Sequence, residues 1–543
     1  MLFLRPPVFS DRKFVGLGQW LVLFFVTALL GIGLSFLTGR VSDGRVITVP
    51  ELLLTYPLIR LCFSLLFIGV LARFLRISFP AALQGVVPWL LPFQLLPGAI
   101  DLVLQALRIA TPAPYFVNPS GIVLSLVSVG FAPHALLSYG SLITLACLVA
   151  WLFIQIKRAR GRLVPALSGT ILFYVLAVLF AASSSVLGWF GLVSRSAIFT
   201  AGSNVISRGL IVLSQEGYWW KNIAERFPGA LGGEVEVSVL LLLTVVMYLV
   251  LVAGLVAWIY RIMHLSWRAW LFEDRRQLLI YGVVVLLSGG SLALVQGEVW
   301  LRHWTMTVAA IVLLITWLAA LLSVLGDGDV TDMGEDDRAG RMRPLTMGTV
   351  SAATLEDLGW IFKGVALVGG WLLGWPICLC IFLFSLAQAA YRSPVLQAKQ
   401  SFPFNHLLLG LSVTALWLSG WFLVTQDAVI THLPLHLALG MWLFFSAHSV
   451  LKGWIESQKG RSGLVTDLAA TYGESRARYI AAGFIGGAYL FPGLSLGSWF
   501  LLAFGAAIGF ATFLTLLSKK MRIYEIFVLF CLFLFVSVFT LGR

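Results

Sequence analysis

The 543-residue chain is 59% hydrophobic and 11% charged, with a mean hydropathy of +0.95. Soluble globular domains carry about 25% charged residues, so the composition excludes a water-soluble core and makes lipid the solvent. A net charge of +13 would suggest a nucleic-acid partner in a soluble protein. Here the basic residues cluster in short loops beside apolar runs, where they set topology, and no nucleic-acid partner is expected.

In lipid the backbone must satisfy its own hydrogen bonds, which leaves helices or a closed barrel. The apolar runs are long and continuous rather than alternating, so they are read as helices. The fold class that follows is an all-α polytopic membrane protein with about 15 transmembrane helices of about 20 residues each. The first group of spans is expected at 15–37, 51–75, 80–107, 133–156, 164–192 and 237–261. The first run continues too far and lacks a small-residue cleavage site, so it reads as an anchor rather than a removable signal. Residues 119–132 are apolar but too short to span and are read as re-entrant or interfacial. Glu51 and Arg60, near or within the second span, fit a snorkelling or paired role. The long loop 193–236 holds "EGYWWKNIAERFPG", read as an interfacial helix anchored by Trp219 and Trp220.

The second group is expected at 279–298, 303–325, 360–376, 377–391, 406–425, 433–452, 477–495, 497–517 and 522–541. Basic clusters orient the whole: Arg12 and Lys13, Arg73 and Arg76, Lys157 to Arg162, then Arg261, Arg268, Arg275 and Arg276. All fall on one side if the N-terminus is cytoplasmic. The loops after 325 and 452 then face the cytoplasm too. The chain divides near residue 265, giving an N-terminal region of about six spans over 1–265, of unknown role, and a second region over 266–543.

Few polar features stand out. Cys62, Cys147, Cys378, Cys380 and Cys531 show neither metal spacing nor a disulfide framework. His432 and His436 in "HLPLH" lack further zinc ligands and flank Pro434, so they read as an interfacial turn. "GGSLALVQG" and "GGWLLGW" suit close helix packing better than phosphate cradling.

The exception is Gly326 to Gly348, "GDGDVTDMGEDDRAGRMRPLTMG". It holds six carboxylates of the chain's 24: Asp327, Asp329, Asp332, Glu335, Asp336 and Asp337. Asp329, Asp332 and Asp336 recur at i, i+3 and i+7, one face of a helix. They follow a span expected to close near Leu325, where the helix dipole already disfavours negative charge. Carboxylates there call for a cation. Oxygen-only ligands suit a hard ion, most simply Mg²⁺, which commonly adds phosphate oxygens from a substrate. Arg338, Arg341 and Arg343 stand ready for direct phosphate contacts. Spacing alone leaves both a metal–diphosphate site and a solvated acidic loop open.

The residues also match a known pattern. Asp329, Asp332 and Asp336, then "RPLTMG" from Arg343 to Gly348 and Ser351, resemble the first signature of the UbiA superfamily of intramembrane prenyltransferases. Gly328 stands where that family usually has Asn. "YRSPVLQAKQSFPFNHLLLG", Tyr391 to Gly410, is similar to the stretch between the family's fourth and fifth helices. The spans from 279 onward equal the family's helix count.

The resemblance implies two acidic loops that hold Mg²⁺ and the diphosphate of an isoprenyl donor, whose prenyl group passes to a lipid-accessible acceptor. The matching second loop is "KGWIESQKGRSGLVTDLAATYG", Lys452 to Gly473, with Gly453, Glu456 and Gly460 at the three acidic positions. One carboxylate of that set survives. The expected metal ligands are therefore Asp329, Asp332, Asp336 and Glu456. The expected diphosphate contacts are Arg343, Lys399, Lys452 and Arg461, with Tyr391 and Asn405 carried by resemblance alone. His448, Lys452 and Glu456 recur at i, i+4 and i+8, near one helix face. The competing reading is a catalytically altered or non-enzymatic protein on the same scaffold, serving lipid transport or assembly.

Overall fold

A computed structural model describes residues 17–37, 57–72, 94–107, 244–260, 276–295, 304–334, 345–393, 403–425, 435–458, 473–517 and 523–541, with scattered positions omitted, and Ile171. Among them the secondary structure is helical, with turns and no strand. The chain forms two compact units, Met1–Leu255 and Val256–Arg543. The expected re-entrant stretch, the loop 193–236 and nearly all of the spans at 133–156 and 164–192 lie outside the described residues.

In the first unit, α1 (Leu17–Leu37) buries Phe24 and Ala28. A side chain at Gly31 would stand 2.8 Å from the Gln94 carbonyl, so the helical backbone at Gln94 approaches α1 closely. Arg60 is 7% exposed. It is buried in the unit.

The second unit holds α2 (Arg276–Val295), α3 (Trp304–Thr331), α4 (Ala352–Leu373), α5 (Trp375–Arg392), α6 (Phe404–Thr425), α7 (Leu435–Gln458), α8 (Glu474–Ser495), α9 (Trp499–Leu517) and α10 (Ile523–Leu541). From α3 to α10 each helix packs on the next, and α2 closes the arrangement by packing on α6 and α10. Among the described residues, Thr307–Thr331, Trp375–Arg392, Phe404–Thr425 and Trp499–Leu516 are long and apolar enough to cross a membrane.

Two boundaries differ from the sequence expectation. Helix α3 does not close near Leu325 but continues to Thr331. Helix α4 begins at Ala352 rather than 360, because Ser351 caps it: its Oγ accepts from the Thr354 N–H at 3.2 Å. The break between α4 and α5 falls at Gly374, whose φ of +128° lies in a region that other residues rarely adopt.

Without a hydrophobic drive between helices in lipid, contact surfaces and small residues hold the unit together. Gly289 of α2 and Gly420 of α6 interlock, each with its α-carbon against a backbone carbonyl of the other helix, from Trp417 and Leu286. Elsewhere aromatic rings fill the interior. Phe444 of α7 stacks on Phe530 of α10, with centroids 3.6 Å apart, and Tyr489 of α8 meets Phe533 edge-on at 5.0 Å.

Overpacking a tight contact costs about 1–3 kcal/mol. Gly420→Val is therefore expected to lower the thermal midpoint of the detergent-solubilised protein. Gly483→Val, where an added Cβ meets nothing within 4 Å, should leave it nearly unchanged. Equal shifts in the two variants would contradict the interlock.

Candidate active site

The site is built on the end of α3. Two glycines, Gly326 and Gly328, each cost about 1 kcal/mol of helix propensity against alanine, yet the helix runs through them. Both are buried, and the Asp332 N–H reaches the Gly328 carbonyl at 2.8 Å. The Thr331 hydroxyl donates to the Asp327 carbonyl at 3.0 Å, within the last turn. Asp329 and Asp332 therefore sit three residues apart on one continuous helical stretch.

Asp329 is 1% exposed. A carboxylate at such depth needs cations or donors around it. The guanidinium of Arg392, the last residue of α5, lies against this end of α3. Its Nη1 donates to the Val324 carbonyl, and a Cβ added at Gly328 would stand 2.9 Å from Nη2.

A second cation comes from α4. Lys363 Nζ meets Asp327 Oδ2 at 2.7 Å, and both side chains are partly exposed. The ammonium also lies 4.6 Å from the Trp360 ring centroid, within cation–π range. Across the helix pair, Gly359 leaves room for Asp327; an added Cβ there would be 2.8 Å from Oδ1.

The starts of α2 and α6 and the last turns of α7 carry further polar groups. Asn405 is buried at the start of α6, and its Oδ1 accepts from the His406 N–H at 2.8 Å, satisfying a helix-start donor. His406 Nδ1 lies 2.9 Å from Ser449 Oγ of α7. His448 meets the Tyr281 ring of α2 at 6.1 Å. Lys452 and Glu456 lie on the final turns of α7, by backbone position. Asp336, Arg343, Lys399 and Arg461 fall outside the described residues.

The structure thus sets Arg392 against the stretch that carries the expected Asp329 and Asp332, through Val324 and Gly328, with Tyr391 next to it in the chain. It adds Asp327, Lys363 and Arg392 to the expected set. Arg392 was visible as a cation closing an apolar helix. Lys363 was hidden because α4 was expected to begin only three residues before it.

Among the described residues no three His, Cys, Asp or Glu side chains form a group able to hold a metal ion. The donor chemistry of Asp329 and Asp332 nonetheless fits a hard ion: both offer oxygen alone, from one helical stretch. A half-open apolar groove of about 310 Å³, lined by Gly486, Tyr489, Gly505 and Phe510 among others, lies on α8 and α9, which carry none of these residues.

A buried carboxylate flanked by two half-buried ones at the end of an apolar helix, inside a bundle of hydrophobic helices, defines an integral membrane protein with a charged site at one end. Residues 282–539, a little under half of the chain, match the family model for UbiA prenyltransferases. No curated protein matches the chain. A solved structure of a digeranylgeranylglyceryl phosphate synthase in membranes is similar at 16% identity, over 48% of this chain and 93% of that one, with a TM-score of 0.37. A likeness this loose transfers neither substrate nor residue role.

The Lys363–Asp327 pair is partly solvated, so its coupling should be modest, about 0.5–1 kcal/mol. A double-mutant cycle with Lys363→Met and Asp327→Asn, read by reversible unfolding in mixed micelles, is expected to return a coupling in that range. A value near zero would mean that the two charges act independently.

Proposed function

We propose that the C-terminal region, 266–543, is a Mg²⁺-dependent intramembrane prenyltransferase. It moves a prenyl group from an isoprenyl diphosphate to a membrane-accessible acceptor, aromatic acceptors included. The observation that carries the reading is the buried Asp329 near the end of α3, with Asp332 in the turn just beyond it, in a half that matches the family model for UbiA prenyltransferases.

In this reading Asp329, Asp332, Asp336 and Glu456 hold the metal, which when bound offsets the charge developing on the departing diphosphate. Arg343, Lys399, Lys452 and Arg461 contact the diphosphate directly. Lysines there act as point charges and arginines as two-pronged donors. Tyr391 and Asn405 border the same site. The donor's carbon–oxygen bond breaks with its electron pair leaving on the diphosphate. The acceptor's nucleophilic atom then bonds to that carbon and releases its proton. Apolar walls keep water from capturing the allylic cation. The acidic end faces the cytoplasm, and the N-terminal region 1–265 is a separate membrane unit.

Purified full-length protein, offered prenyl diphosphates of several chain lengths with membrane extract, is expected to release diphosphate only when Mg²⁺ is present. Asp332→Asn should slow that release by about a hundredfold or more, the usual cost of losing a group that stabilises leaving-group charge. Absence of turnover with every donor would instead favour the non-enzymatic scaffold.

A further inference from the structure

Charge is unusually well matched at the end of α3. Three carboxylates, Asp327, Asp329 and Asp332, stand there with two cations fixed by the protein itself. Lys363 is held on Asp327 at 2.7 Å. Arg392 lies across the helix between Val324 and Gly328. Among these described groups one negative charge is left in excess.

The Arg392 pose depends on an absent side chain. A Cβ at position 328 would fall 2.9 Å from Nη2, 3.0 Å from Cζ and 3.1 Å from Nη1. The whole guanidinium therefore covers Gly328, one residue before Asp329 and one helical turn before Asp332. A metal ion reaching those two carboxylates approaches a charge that is already present and anchored by a backbone carbonyl.

We propose that Arg392 is a built-in counter-ion that competes with the divalent cation for Asp329 and Asp332. In the resting protein the metal binds weakly, and the arrival of a diphosphate makes its binding favourable. The inference rests on the metal–diphosphate reading of this end of the unit. The physical logic is mutual. A guanidinium beside a carboxylate opposes any second cation on the same oxygens, and the same guanidinium attracts a diphosphate through charge-assisted hydrogen bonds. The anion's charge then offsets the repulsion between arginine and metal, so the two ligands raise each other's affinity. Arg392 is in this sense a positioning residue that sets the order of loading.

The test measures Mn²⁺ binding to the full-length protein by electron paramagnetic resonance, without any anion, so that turnover plays no part. A neighbouring guanidinium typically shifts carboxylate protonation by a factor of about ten or more, and metal competes for the same oxygens. Arg392→Gln should therefore bind Mn²⁺ about tenfold more tightly than the unaltered chain. Arg392→Lys, which keeps the charge, should stay within about twofold. Gly328→Ala, which leaves the arginine in the chain but pushes its head away, should move in the same direction as Arg392→Gln. This variant also serves if Arg392→Gln does not fold. Asp332→Asn should abolish protein-bound Mn²⁺ in every background.

Unchanged or weaker Mn²⁺ binding in Arg392→Gln and Gly328→Ala, still lost with Asp332→Asn, overturns the counter-ion inference and leaves the metal site standing. Absence of Asp332-dependent binding in both the unaltered chain and Arg392→Gln overturns the metal reading together with the inference.

Discussion

A helix in lipid has to keep its backbone hydrogen bonds to its last turn, and the end of α3 is arranged around that requirement. Unsatisfied peptide groups in hydrocarbon are expensive. The helix therefore continues through Gly326 and Gly328, despite their poor propensity, until Thr331 closes its final turn with a hydroxyl bond to the Asp327 carbonyl. That continuity fixes where the carboxylates lie. Had the chain left the helix at Leu325, Asp327, Asp329 and Asp332 would sit on a solvated loop. Instead Asp327 and Asp329 are carried on the helix and Asp332 on the turn that follows it, with Asp329 almost fully enclosed.

Enclosing negative charge requires positive charge of equal rigidity. The neighbouring helices provide it by their register. Helix α4 begins at Ala352, behind its Ser351 cap, and brings Lys363 level with Asp327. Helix α5 begins after the turn at Gly374 and ends with Arg392 beside Gly328. Two breaks in the chain, one set by a serine cap and one by a glycine, thus determine which cations reach the acids.

Much of this was legible in the sequence. The helical class followed from unbroken apolar runs, and the small pair Gly289 and Gly290 pointed to close packing that Gly289 realises against Trp417. The spacing of Asp329, Asp332 and Asp336 reads as one helical face; Asp329 lies within α3 and Asp332 just past its end, while Asp336 falls outside the described residues. What sequence reading lost was polar material on the helices themselves. A search for apolar runs trims Glu356 and Asp357 from α4, although Ser351 and Thr354 supply a cap signal ahead of them. The pairing of Arg392 with Gly328 was invisible for a different reason. It depends on a side chain and on the absence of one, in helices far apart in sequence, and no local pattern encodes that.

The contact between Gly328 and Arg392 makes two distant positions one steric unit. Neither can be altered by descent on its own terms. A side chain gained at 328 evicts the guanidinium, and a small residue gained at 392 leaves a gap and an uncovered carbonyl at Val324. Divergence in chains of this kind would then proceed by paired replacement, so that an arginine closing the fifth helix of such a chain and a glycine between its first two acids are gained and lost together.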